Sequence, residues 1–447
     1  MAVWTTLLLV GSAAPASAQW KAGVASERIT PDQPLRMAGY AARVGVFKGV
    51  ARDLFAKALV LEDEGGRRVA LVTTDLIGLR AEIARAVVAK IPAAAGLGPG
   101  QVILSASHSH AGPDLLLDPS PRDGWSAADA AATAAYTRGL VDTLADLIDR
   151  AASRLEPVRL STGTGVAHFA MNRREFTESG VVIGVNPRGP VDRGVPVLRL
   201  DGADGRPRVV LFSYACHNTT LTGNNFQIAG DYAGYAQAEI ERQVAGVQAM
   251  FMAGTGADAN PYPRGTLELA ERHGLELGGE VVRVATQTKL REVTGPLRAV
   301  AAPVDLPLQP RSRAELERFA AGKDSNHRTT AQLLLNRLGR GESPLTHYTA
   351  PVALWQFGEG LTLVALPGEV VVDYRFAIEK AIGPLNLWVV AYTNDYYGYL
   401  PSPRVLEEGG YETRGLFSGA GWFSAATSEA LIAAVRRLAA EARRPGR

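Results

Sequence analysis

The sequence predicts a mixed α/β fold, built as a single large domain with one mixed sheet and helices packed around it. Two observations support this prediction. Short runs of β-branched and other apolar residues alternate along the whole chain with longer amphipathic segments, many of them rich in alanine. Between these segments there is no change of composition, internal repeat or low-complexity linker that would indicate a domain boundary.

The composition excludes several classes of protein. A chain of 447 residues with 47% hydrophobic and 21% charged residues is typical of a globular protein with a sizeable core. The formal net charge is +2 and no Lys/Arg-rich stripe contains interleaved aromatics, which argues against nucleic acid as a partner. No run of apolar residues after the N-terminus is long enough to cross a membrane, so only peripheral membrane contact stays open. The single cysteine, Cys216, excludes an intrachain disulfide and leaves His, carboxylate or Tyr as metal ligands.

The first 18 residues resemble a secretory signal peptide. The apolar run Leu7-Leu8-Leu9-Val10 is followed by small residues and by Ala16-Ser17-Ala18, a typical cleavage site. We therefore expect residues 1–18 to be removed, leaving a mature domain of residues 19–447 in a secreted or periplasmic protein. The segment before the apolar run has no Lys or Arg, so an apolar N-terminus that simply packs against the domain is the alternative.

Helices and strands are assigned from the period of their apolar residues and from their boundary residues. The runs 56–61 and 68–73 predict a hairpin because the turn Asp63-Glu64-Gly65-Gly66 joins them. Ser126 is a helix-capping residue before a long alanine-rich segment, which predicts a helix over 126–154. The polar stretch at about 308–350 is expected to be a partly helical insertion. Further helices are predicted over 81–90, 231–244, 267–291, 368–382 and 425–440, and further strands over 101–107, 157–164, 207–214, 248–253, 351–357, 361–366 and 387–391.

Two histidines follow the predicted strand 101–107. Residues two apart on a strand point to the same face, so we expect His108 and His110 to meet at one site. The Gly112-Pro113 pair turns the chain, which places both histidines where a strand opens into a loop.

Three further apparent strand ends carry polar side chains. His217 follows one apolar run, Asp258 and Asn260 follow another, and Glu369 comes where a strand is expected to give way to a helix. Because sites on sheet proteins form at strand ends, the four ends are expected to converge on one pocket. Taken singly, each residue also has a structural explanation, such as a core histidine or an acid in the first turn of a helix.

Familiar motifs for nucleotide binding, P-loops, α/β-hydrolases and HExxH metalloproteases do not occur in the sequence. Instead, Ser107-His108-Ser109-His110-Ala111-Gly112-Pro113 resembles the Thr-His-Thr-His-Ser-Gly-Pro signature of the neutral/alkaline non-lysosomal ceramidases. Further segments resemble motifs of this family and occur in the same order, across nearly the whole mature chain: Met37-Ala38-Gly39-Tyr40, Asn172-Arg173, His217 with Gly230-Asp231, Pro367-Gly368-Glu369, Asn394-Asp395-Tyr396-Tyr397-Gly398-Tyr399 and Tyr411-Glu412.

The resemblance implies a zinc hydrolase that cleaves the N-acyl amide bond of ceramide or a related N-acyl lipid, with its metal site at strand ends. It implies that His110 carries protons beside the metal, and that Arg173 and Tyr411 contact the reacting carbonyl. It assigns one Zn²⁺ to four ligands, His108, His217, Glu369 and Tyr399, which are chemically suitable donors.

Two departures from the family pattern leave alternatives open. The family's Gly-Asp-Val-Ser-Pro motif is Ala257-Asp258-Ala259-Asn260-Pro261 in this chain, so Asn260 stands where some members have a catalytic serine. An asparagine is no nucleophile, which favours attack by metal-activated water. We also expect the family's C-terminal immunoglobulin-like domain to be absent. The alternatives are therefore a zinc hydrolase of the same fold that acts on a different amide or ester, and a non-catalytic lipid-binding relative.

Overall fold

The computed structural model describes residues 20–98, 100–120, 124–384 and 386–444. It confirms the predicted mixed α/β fold with one large mixed sheet and helices around it. The predicted signal peptide, residues 1–18, lies outside the described residues. Of the helices that are described, none has both the length and the apolar character needed to cross a bilayer.

The described elements are as follows. The strands are β1 (Trp20–Arg28), β2 (Gly49–Val50), β3 (Phe55–Asp63), β4 (Arg68–Thr74), β5 (Val102–Ala106), β6 (Glu156–Val166), β7 (Ala170–Thr177), β8 (Gly180–Asn186), β9 (Gly194–Gly202), β10 (Pro207–Tyr214), β11 (Gln227–Ile228), β12 (Gln248–Ala253), β13 (Ala259–Pro261), β14 (Arg291–Val293), β15 (Leu297–Pro307), β16 (His347–Phe357), β17 (Leu361–Ala365), β18 (Glu369–Val370), β19 (Leu387–Val390) and β20 (Tyr399–Leu400). The α-helices are α1 (Ala81–Lys90), α2 (Ala127–Ala152), α3 (Asp231–Gln243), α4 (Leu267–Gln287), α5 (Arg313–Ala320), α6 (Ser325–Gly339), α7 (Asp373–Ile382), α8 (Pro403–Glu408) and α9 (Ala426–Ala442).

The largest sheet has nine strands, in the order β12-β10-β9-β6-β1-β3-β4-β5 with β14 beside β6. Its two edge pairs, β10–β12 and β4–β5, are parallel, and the central pairs are antiparallel. A second sheet has the order β15-β16-β17-β19, and a third has the order β13-β7-β8. The parallel edge strands matter for the site, because both β5 and β10 end beside it.

Alternating side chains divide the interior into layers. Leu59 and Leu61 of β3 pack with Trp355 and Leu363 of the four-stranded sheet in one apolar core. Their neighbour Val60 points the other way, into a core that α1 and α2 cover. Helices α7 and α9 pack on the outer face of the four-stranded sheet. The central strands are thus buried on both faces, which explains their nearly continuous apolar sequences.

Two predicted helix boundaries are wrong. The helix predicted over 267–291 ends at Gln287, and Arg291–Val293 instead pairs with β6. The helix predicted over 368–382 begins only at Asp373, because Gly368 has a left-handed φ of 75° and Glu369–Val370 pairs with Tyr399–Leu400. This short parallel pairing brings Glu369 beside Tyr399.

The polar stretch predicted at about 308–350 contains α5 and α6, and β16 already begins within it at His347. The two helices share a small core with Trp422. They connect β15 and β16, which are neighbours in one sheet. The two helices therefore lie outside the two main sheets, and Thr329 and Thr330 of α6 line a cavity.

Candidate metal centre

His108 and His110 follow β5 and meet at the centre of the site. Their Nε2 atoms are 3.0 Å apart and both residues are buried. The expected reason for this proximity is wrong: β5 ends at Ala106, and His108 has a left-handed φ of 62°. A sharp turn, rather than strand alternation, therefore brings the two imidazoles together.

His217 and Glu369 lie beside the two histidines, and we refer to these four residues as the inner group. The Glu369 Oε2 atom lies 3.3 Å from Nε2 of His108 and 3.1 Å from Nε2 of His217. The Nδ1 atoms of these two histidines face main-chain carbonyl oxygens, that of Ile77 at 2.8 Å and that of Gly256 at 3.1 Å. A carbonyl only accepts, so each Nδ1 carries a proton, and it is the Nε2 atom of each ring that faces the centre and can offer a lone pair to a metal.

This donor set fits a metal cation. Two imidazole lone pairs and a carboxylate oxygen face one another in a buried space, and Oε2 of Glu369 has no hydrogen-bond donor among the residues described. Burial, with the charge of Arg173 beside it, lowers the pKa of His217 to about 3. Neutral histidines and an ionised carboxylate are the states that bind a divalent metal.

Tyr399 is the strand partner of Glu369, and its ring is stacked on that of His217. Its hydroxyl is 3.4 Å from Nε2 of His217 and accepts a hydrogen bond from Arg173 at 3.0 Å. Burial raises the pKa of Tyr399, and the charge of Arg173 opposes this rise. The phenol oxygen is thus within reach of the same centre as the other three predicted ligands.

His110 differs from the other two histidines because no carbonyl fixes its ring. Its Nδ1 atom is buried without a hydrogen-bond partner in the described structure. Burial and the neighbouring imidazoles lower its pKa well below the usual value. Gly39, with a φ of 102°, packs on this ring so closely that a Cβ atom would lie 2.3 Å from Nδ1. The ring is therefore placed by packing, its Nε2 faces His108, and its Nδ1 has no partner in the described structure.

Arg173 on β7 lies beside the inner group and borders the centre next to Tyr399. Its Nε donates to Glu412 at 2.9 Å, and its guanidinium lies over the rings of Tyr399 and Tyr411. Glu412, which is buried, also binds Arg174. Glu412 belongs to the Tyr411-Glu412 motif, but the sequence indicates no role for it. Its position shows that it orients the arginine.

Asp258 and Asn260, the two predicted site residues that follow β12, have different surroundings in the structure. Asn260 lies beside Arg173, since its Oδ1 accepts from Nη1 of that arginine at 3.4 Å and from the Thr219 hydroxyl at 3.3 Å. Asp258 instead accepts from the Val372 main-chain N–H at 2.9 Å and from the Asn172 amide at 3.3 Å. Burial raises the pKa of Asp258 to about 7. In the described structure its side chain has no hydrogen bond to the inner group, so Asp258 positions β7 and the start of α7.

A cavity of about 510 Å³ lies beside the centre. Tyr411 lines it and packs edge-on against Tyr399 at a ring distance of 5.3 Å. Tyr40 also lines it and packs edge-on against His110 at 4.9 Å. Sequence reasoning missed Tyr392, which stacks on His108 at 4.2 Å. The only indication in the sequence that Tyr392 belongs to the site is its place in an aromatic-rich loop.

The sequence is similar to those of known proteins. A family model described as "Neutral/alkaline non-lysosomal ceramidase, N-terminal" matches residues 20–267. Neutral ceramidase B of Dictyostelium discoideum is 27% identical over 256 residues, which are 52% of this chain and 34% of that protein. The neutral ceramidase of Pseudomonas aeruginosa is 27% identical over 217 residues, 46% of this chain and 31% of that protein. The matched part is thus about a third of the length of these curated relatives.

The fold is also similar to a solved structure. The crystal structure of the neutral ceramidase from Pseudomonas aeruginosa superposes with a TM-score of 0.71 at 22% identity, covering 95% of this chain and 74% of that chain. The family model covers more than half of the chain, and the fold agrees over nearly all of it. The chain therefore belongs to the neutral/alkaline non-lysosomal ceramidase family.

Proposed function

We propose that the protein is a zinc-dependent amidohydrolase that cleaves the N-acyl amide bond of ceramide or a related N-acyl lipid. The observation that carries the proposal is the buried group of lone pairs from His108, His217 and Glu369, with Tyr399 beside it and a cavity at its edge. These four residues would hold the metal. When bound, zinc lowers the pKa of a coordinated water and polarises a carbonyl group.

The chain's own residues account for the remaining steps of hydrolysis. Water supplies the oxygen that forms the new bond to the acyl carbon, the C–N bond breaks, and the leaving amine takes up a proton. The low pKa of His110 keeps its imidazole neutral before the reaction, and its unpartnered Nδ1 would accept a proton and pass it to the amine. Arg173 and Tyr411 would bind the carbonyl oxygen as negative charge develops on it.

The panel that tests this function uses N-acyl and O-acyl lipids of equal chain length, incubated with and without a chelator. We expect release of fatty acid from the N-acyl lipids, loss of this activity with the chelator and recovery with zinc. Asn260 in place of a serine is the observation that favours the second candidate, a zinc hydrolase for another amide or an ester. Faster release from the O-acyl lipids would support it, whereas binding without turnover would support a lipid-binding relative.

We also infer a secreted or periplasmic location, from the apolar run and the Ala16-Ser17-Ala18 site near the N-terminus. A mature protein that begins at Gln19 would support this location. An N-terminus that retains residues 1–18 after expression in a secreting host would contradict it.

A further inference from the structure

The cavity beside the centre has an excess of positive charge. Its charged lining residues are Arg36, Arg43, Arg80 and a single acid, Asp114. Arg36 is balanced by Asp129, whose Oδ2 lies 3.2 Å away. For Arg43 and Arg80, no carboxylate lies within ion-pair distance among the residues described. Two guanidinium groups of the cavity therefore lack a counter-charge within the described protein.

Arg43 is the more informative of the two because it is only 7% exposed. Its guanidinium donates to the main-chain oxygens of Ala38, His110 and Asn225, which are neutral, and its Nε is buried with no partner in the described structure. Burial lowers its pKa to about 10. A buried cation without a carboxylate is unfavourable unless an anion compensates it.

The rest of the lining suits an acyl chain. Apolar and aromatic side chains surround the charged positions, among them Met37, Ile77, Tyr396, Leu416 and Phe417. The cavity thus combines a surface for hydrocarbon with two uncompensated cations, beside the residues that would carry out hydrolysis. A ligand that matches both parts is amphiphilic and negatively charged.

We propose that the cavity binds N-acyl compounds whose amine portion carries an anionic group, a carboxylate being the simplest, and that Arg43 and Arg80 bind this group. The proposal rests on the proposed function, because it names the amide that the same site would cleave. Arg80 directly precedes α1 and lines the cavity wall. A neutral amine portion would leave both cations uncompensated.

The test compares N-lauroylglycine with N-lauroylethanolamine, which share an acyl chain and have similar size but differ in charge. We expect kcat/KM to be at least about tenfold higher for the glycine compound, since hydrogen bonds to charged groups are stronger than neutral ones. Arg80→Gln should reduce this ratio towards one, and Arg80→Lys should preserve most of it. Arg43 is not substituted, because it also ties the His110 segment to its neighbours.

Arg85→Gln is the matched control. Arg85 is an exposed residue of the same helix and does not line the cavity, so this variant removes the same charge and should keep the wild-type ratio. Equal or better turnover of N-lauroylethanolamine, with a ratio that Arg80→Gln does not change, would overturn the anion site and leave the hydrolase intact.

Calorimetric titration of both compounds separates the two proposals if neither amide is cleaved. Tighter binding of N-lauroylglycine that is lost in Arg80→Gln would support the anion site while refuting amide hydrolysis. Equal binding of the two compounds, or none, would refute the anion site without any reference to turnover.

Discussion

The centre has a histidine side, formed by His108, His217 and Glu369, and an arginine side, formed by Arg173 and its neighbours. The two sides are held in place by different means. His108 and His217 are oriented by main-chain carbonyls of Ile77 and Gly256. Arg173 is oriented by a side chain, the buried carboxylate of Glu412. One side presents lone pairs to the centre, and the other presents N–H donors.

This difference indicates a division of chemical roles. Lone pairs that converge in a buried space bind a cation, while fixed N–H donors stabilise negative charge that develops during a reaction. The two sides should therefore respond differently to substitution. Changes on the histidine side should remove the metal, and changes on the arginine side should reduce the rate while the metal stays bound.

The largest effect is expected on the histidine side. Glu369→Gln and His217→Ala should reduce the zinc content from about one ion per chain, the stoichiometry of a mononuclear site, to a small fraction of this value. Partners outside the ligand shell typically contribute 10- to 100-fold, so loss of a ligand should reduce activity by more than about 100-fold. Elemental analysis and fatty-acid release measure the two quantities. His168→Ala, at an exposed histidine, is the control, and full zinc occupancy in both ligand variants would refute the assignment.

The next largest effect is expected on the arginine side. Arg173→Gln should keep the zinc and lower kcat by about 100- to 1000-fold, the range for one donor that stabilises an oxyanion. Arg174→Gln is the matched control, because Arg174 binds the same Glu412 but donates no hydrogen bond to Tyr399 in the described structure. It should lower the stability to urea with a much smaller change in kcat. Equal losses of kcat in the two variants would mean that Arg173 acts only through the fold.

His110 lies against His108 but is not one of the four proposed ligands, so its substitution should behave like neither of the two sides. His110→Ala should retain zinc and lose roughly 100-fold in rate, the contribution expected of a general acid–base. Release of zinc as readily as from a His108→Ala variant would show that His110 is itself a ligand, in line with its membership of the buried three-histidine group.

The sequence predicted the elements whose signals are local. Helix α1 has the bounds that its apolar period indicates, and the Ser126 cap of α2 forms the expected capping box with Asp129. Strands β7, β8 and β15 were not predicted: β7 contains the polar run Asn172-Arg173-Arg174-Glu175, β8 is interrupted by Gly184, and β15 pairs with β16, which is distant in sequence. The start of α7 was misplaced for the same reason, since the pairing of Glu369 with Tyr399 is not visible locally.

The site shows a similar limit. Motifs in a fixed order indicated which side chains would gather, and eight of the nine predicted residues lie in or directly beside the centre, with Asp258 behind it. The carbonyls that orient His108 and His217 belong to Ile77 and Gly256, whose side chains carry no signal of this role. Backbone partners of this kind can be identified only from the fold.

The smallest effect is expected at Asn260, on the arginine side. Asn260 supports Arg173 through a hydrogen bond at 3.4 Å, and such a bond contributes about 1 kcal/mol. If hydrolysis proceeds by activated water, Asn260→Ser should therefore change kcat by less than about tenfold, a shift of about 1.4 kcal/mol at most. Neither protein should accumulate an acyl-enzyme, so rapid-mixing measurements should show no burst. If instead the serine of other family members is an obligatory nucleophile, the natural chain would be inactive on N-acyl lipids, and Asn260→Ser would introduce turnover with a burst. That outcome would contradict the proposed mechanism and make the natural chain a lipid-binding relative, because the natural chain would then lack the nucleophile of the reaction.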